Sequence, residues 1–333
     1  VSDAGAASVT VTGLLDVSGT SIALGSGATV FNTGTLTFNS AGSVTISEDS
    51  SLDLVGINTA GSADIDSTGS VSDAVGGSVD ITGLLDVAGS SIALGSGSFN
   101  SGSLTFNSAG LVAISENSSL DLVGVNTAGS ADLDSTGSVT DAVGGSVDIT
   151  GLLDVAGSSI ALGSGSFNSG SLTFNSAGLV AISENSSLDL VGVNTAGSAD
   201  LDSTGSVTDA VGGSVDIIGL LDVAGTSIAL GSGSFNSGSL TFNSAGSVNI
   251  AEDSAMLVSG PSIAGSGLDL FAADDVTLGA TVTVSGDISI IAGPTTGGIH
   301  VNAKLIGSGT ILLDAAEEIT IDADIDPTTV TLN

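Results

Sequence analysis

An all-β chain wound as a stack of parallel coils, a β-solenoid, is the fold class predicted here, and three observations predict it. Long units recur almost unchanged, short apolar–polar alternations fill each unit, and glycine separates them. GLLDVSG starts at Gly13, and GLLDVAG recurs at Gly83, Gly151 and Gly219, at intervals of 70, 68 and 68. Residues 71–138 and 139–206 differ only where Ser72 becomes Thr140. Self-similarity at a fixed period is the signature of repeat architectures, in which each unit buries its apolar face against the next.

The array reads as units 1–70, 71–138, 139–206 and 207–258. VSDAGAASVTVTG at Val1 is in phase with VSDAVGGSVDITG at Val71. The first unit is longer because GSGATVFN at Gly25 stands where GSGSFN stands at Gly95. After about residue 255 the template lapses into AMLVSGPSIAG. Residues 259–333 keep the grammar in diverged form, as in DVTLGATVTVSG, GIHVNAKLIG and EEITIDADI, and read as further coils of the same solenoid.

Within a unit, reading from Ser78, the segments SVDIT, LLDV, SIAL, SLTF, LVAI, SLDLV, ADLD and SVTDAV each alternate apolar with small polar residues. That period of two puts Val79 and Ile81 on one face and Asp80 and Thr82 on the other. No sustained helical stripe interrupts them. A coil of roughly 22 residues, three to a unit, stacked at about 4.8 Å, gives a rod on the order of 70 Å long. Stacked coils of like sequence are expected to ladder identical side chains. Phe31, Phe99, Phe167 and Phe235 recur at intervals of 68, as do Phe38, Phe106, Phe174 and Phe242, and read as core or corner residues. Asn100 and Asn107, each after a Phe, read as turn positions.

Composition narrows function. The chain has 333 residues, 36 of them acidic against one Lys or Arg, for a formal net charge of −35. With 41% hydrophobic residues and a mean hydropathy of +0.55 it has ample aliphatic surface to bury, unlike a disordered acidic chain. Its charge repels nucleic acid and anionic membrane surfaces, and no apolar run reaches the ~20 residues of a spanning helix. Without cysteine there is no disulfide or thiolate chemistry. Val1 is not preceded by a signal segment, so the chain reads either as a processed product or as a piece of a longer one.

Candidate chemistry is sparse. His300 and Lys304 sit four apart in GIHVNAKL, a spacing that places both on one strand face, and they read as surface residues rather than a catalytic pair. Paired carboxylates such as Asp132 and Asp134 recur in every unit, whereas a glycoside hydrolase needs one asymmetric pair. Ser has no repeated His partner, and no GxxxxGK loop exists. Thr35 and Thr37 suggest an ice-binding row, but the matching pair one unit on is Ser103 and Thr105. In IDADID, alternation sends Ile321, Ala323 and Ile325 inward and Asp322, Asp324 and Asp326 outward, a set of hard oxygen ligands suited to calcium. The nonapeptide calcium motif GGxGxD is absent.

The strings GSLTFNSAGLVAISENSSLDL and DVTLGATVTVSGDISIIAG resemble the shaft of filamentous-haemagglutinin-type exoproteins and related large bacterial surface adhesins. The resemblance implies a right-handed parallel β-helix that is exported and used for attachment or for building extracellular matrix. The expectation is therefore a non-enzymatic, secreted structural or adhesive protein of the cell surface. Its partners would be itself, as a head-to-tail homopolymer or longer array, and a surface or matrix component, with no cofactor beyond calcium. The opening residues and the closing PTTVTLN look like ordinary coil segments without caps, which motivates the stacking expectation. A carbohydrate-active β-helix enzyme and a cation-dependent surface-layer component are the alternatives.

Overall fold

The computed structural model describes residues 1–3, 8–25, 30–293, 295–326 and 329–333. Three of the sequence features above fall partly outside that range: residues 4–7 of the opening segment, residues 26–29 of the first-unit insertion, and residues 327–328 of the closing run. The fold is a parallel β-solenoid of about 16 turns with about 20 residues in each, and no helix occurs among the described residues. Two compact units divide it, Val1–Gly170 and Ser171–Asn333.

In the first unit each turn contains three strand segments, because a strand pairs with the third segment after it. Ser43–Glu48 pairs in parallel with Ser62–Ser67, with Leu52–Leu54 and Ile57–Ala60 intervening. Leu111–Glu116 pairs likewise with Ser130–Ser135. In the second unit Val248–Glu252, Leu268–Ala272, Ile288–Ala292, Thr310–Ala315 and Thr329–Leu332 form one such ladder, every third strand in order. Each turn is thus three-sided, with one parallel sheet along each side.

The expected strand faces hold. Val79 and Ile81 are 1% exposed, whereas Asp80 and Thr82 face solvent. The eight recurring phenylalanines are among the largest fully buried side chains, none more than 1% exposed. Burying an aliphatic or aromatic side chain contributes about 1.5–3 kcal/mol, so these inward rows hold the coils together. Asn100 and Asn107 differ from expectation: both lie within strand Ser98–Asn107. Asn107 still links turns, since its Oδ1 accepts a hydrogen bond from Thr127 Oγ1 at 2.9 Å.

Turn length overturns the division of a unit into three coils. Asn107 pairs with Thr127 and Leu111 with Ser130, each one turn on. At about 20 residues per turn, the step from Gly83 to Gly151 takes about three and a third turns. Each unit therefore begins one side further round than the last. In the first unit, strand segment 84–88 lies on the sheet that contains Ser62–Ser67, while its equivalent 153–156 lies on the sheet that contains Ser130–Ser135, one side on. In the second unit, segment 171–175 shares a sheet with Val193–Ala196, and its equivalent 239–243 lies on the sheet of segment 220–224. Equivalent residues of successive repeat units consequently lie on different sheets and do not stack in one row. Phe99 is beside Val79 and Phe106 beside Val87. At these two positions a large ring is packed against a smaller aliphatic side chain.

Candidate functional site: outward aspartates and corner carboxylates

The two basic residues do not lie on one strand. His300 is half-buried in strand Ile299–Val301, which ends before Lys304; Lys304 is exposed in the corner preceding strand Leu305–Gly307. The shared strand face expected for them does not exist.

IDADID also bends. Strand Ile319–Ile321 stops before Asp322, Ala323 lies in a bend, and Asp326 belongs to the next strand, Ile325–Asp326. Ile321, expected in the core, is 39% exposed. Asp322, Asp324 and Asp326 are all exposed but straddle a corner instead of lining one strand face. Among the described residues no group of three or more His, Cys, Asp or Glu is arranged to hold a metal ion.

The carboxylates that the fold does gather are those of the repeat. Asp64 and Asp86 are register partners on adjacent strands, as are Asp132 and Asp154, and Asp200 and Asp222. Asp66, Asp134 and Asp202 lie two residues along the same outward faces. Partial burial raises Asp86 above the ordinary carboxylate range, and the charges of Asp64 and Asp66 raise it further. Asp132 is raised in the same way by burial and then by Asp134 and Asp154, and Asp222 by burial and then by Asp200 and Asp202. An open surface depression beside the first pair is lined by Ser43, Thr45, Asp64, Leu84 and Asp86.

Such repulsion is screened by salt. Melting temperature at pH 7 should rise with sodium chloride and rise further with calcium at matched ionic strength. Calorimetry with calcium and with chelator checks this, and identical curves would remove any calcium effect.

Sequence reasoning missed a second set of polar groups, which occupy inward positions. Asn126, 1% exposed, accepts the Phe106 N–H at Oδ1 (3.0 Å) and donates from Nδ2 to the carbonyls of Val123 (2.9 Å) and Ser146 (3.4 Å). Asn58 and Asn194 repeat this with Phe38 and Phe174. Asp73, 5% exposed, accepts the N–H groups of Gly95 and Ser96 at Oδ1 (both 2.9 Å) and of Gly97 at Oδ2 (3.0 Å). Asp141 and Asp209 hold the equivalent corners. Glu48, Glu116 and Glu252, at most 2% exposed, accept the N–H of Thr33, Ser101 and Ser237. A buried amide left without a partner is destabilising by ~1–3 kcal/mol, and these side chains supply partners where the chain turns a corner. Their signal was present: in SVTISE and VSD the acid continues the inward register of Val44, Ile46 and Val71.

No protein-family model, characterised relative or solved structure matches the chain, which is placed by its β-solenoid fold alone.

Proposed function

We propose that this protein is an extracellular structural or adhesive element of the cell surface or matrix, extended by stacking coil on coil, with further coils or copies of itself as neighbours. The observation that supports this is the third-of-a-turn advance of each repeat unit. It moves the same outward chemistry from one side of the coil to the next and does not concentrate it at one cleft. A surface of that kind suits multivalent contact and mechanical continuity, whereas catalysis calls for one asymmetric constellation. The likeness of its repeats to filamentous-haemagglutinin-type shafts points the same way. The in-register pair Asp64 and Asp86 favours a second reading, a surface-layer component whose order depends on cations. The test is immunoelectron microscopy of producing cells with antibodies to the GLLDVAG unit. Label on extended extracellular material is expected, and label confined to the cell interior would contradict the proposal.

A further inference from the structure

Strands Leu111–Glu116 and Leu179–Glu184 each stop at a corner, and the next strands begin at Leu120 and Leu188. The residues between, 117–119 and 185–187, are all exposed, and both corners read Asn-Ser-Ser. An asparagine followed two residues on by Ser or Thr, with no proline between, is the acceptor sequence for N-linked glycosylation. No other asparagine of the chain has it. Asn107 is also exposed, but Ala109 stands where the hydroxyl is needed. At the same corner of the first and fourth units, Asp49 and Asp253 stand where the asparagine is needed.

The corner keeps its shape through its backbone. The Asn117 N–H donates to the Phe99 carbonyl of the preceding turn at 2.9 Å. On the following turn, Thr136 Oγ1 donates to the Asn117 carbonyl at 2.7 Å and the Gly137 N–H to the Ser118 carbonyl at 3.0 Å. The Asn185 corner repeats the last two bonds, with Thr204 Oγ1 at 2.7 Å and the Gly205 N–H at 3.0 Å. The side-chain amide of Asn117 is therefore left at the surface, where Nδ2 donates to Ser98 Oγ at 2.8 Å. A glycosylated amide retains one N–H, so that bond survives the modification.

We propose that Asn117 and Asn185 are glycosylation sites, each carrying a sugar on Nδ2 at an exposed corner of the solenoid. In the transfer, Nδ2 attacks C1 of a sugar activated as a phosphate or pyrophosphate ester. The C1–N bond forms, the C1–O bond breaks with its electron pair leaving on the phosphate, and one amide proton passes to solvent. The sugar adds bulky, hydrated and uncharged cover to a strongly acidic surface. This site goes beyond the surface role proposed above and does not depend on it.

The test is intact-mass and peptide mass spectrometry of the full chain purified from its producing cells, as the native protein and as Asn117→Asp and Ser119→Ala. Both replacements already occupy this corner in other units, as Asp49 and Asp253 and as Ala255, so the variants should fold. The native chain is expected to exceed its sequence mass, with the excess on Asn117 and Asn185. Either variant should lose the sugar at its altered corner and keep the one on Asn185. A single sugar at each site points to a nucleotide-sugar donor, and a whole oligosaccharide to a lipid-linked one; both support the proposal. Native protein without sugar on either asparagine, or sugar that persists on residues 117–119 in either variant, overturns it.

Discussion

Replacing Phe106 by Ala should destabilise the chain by about 3–5 kcal/mol, the range for truncating a buried aromatic ring. Phe106 is fully buried, pairs with Val87 of one neighbouring turn and gives its N–H to Asn126 of another. The parallel backbone ladders on both sides prevent the turns from closing over the cavity. Phe271, at 39% exposure, is the internal control, and Phe271→Ala should cost under about 1 kcal/mol. Urea denaturation of both variants measures the difference. Equal small losses would mean that the inward rows do not hold the coils.

Gly83→Ala should destabilise the chain by about 2 kcal/mol or more, although it adds only a single methyl at a corner. A Cβ on Gly83 would lie 2.6 Å from the carbonyl oxygen of Gly61 in the adjacent turn, and backbone in a ladder cannot yield. Gly61 and Gly102 carry the same restriction, against Ala41 O (2.9 Å) and Thr82 O (2.4 Å). The glycine corner thus continues over several turns, although its members come from different places in the unit. Gly34 has open space at the same construction, so Gly34→Ala should be neutral or slightly stabilising. Thermal unfolding of the two variants provides the comparison, and similar melting temperatures would exclude close stacking at this corner.

The parallel coils, the inward faces and the buried phenylalanines were legible because alternation and repetition report them directly. Turn length was not. An exact repeat suggests a whole number of coils, yet corners absorb different numbers of residues. The step from Leu104 to its partner Leu122 is shorter than the step from Val276 to its partner Ile299. Corners also explain why the single strand faces expected of IDADID and of His300 with Lys304 did not form, since strict alternation was carried across positions where the strand stops. The buried Glu and Asn residues were passed over because polar residues are expected outside. Their inward register in SVTISE and INTA was the available clue.

The advance of one side per unit is tested most directly by engineered disulfides, which the cysteine-free chain allows. Neighbouring parallel strands hold register partners about 4.8 Å apart, within the Cα separation that a disulfide accepts. Asn107→Cys with Thr127→Cys joins register partners one turn apart. Asn107→Cys with Ser130→Cys joins the positions that a coil of roughly 22 residues, three to a unit, would bring together. Ser130 instead pairs with Leu111. Under mild oxidation the first pair should close rapidly, without loss of melting temperature, and the second should stay reduced. Closure of the second pair and not the first would contradict the third-of-a-turn advance and, with it, the display of each unit on successive sides.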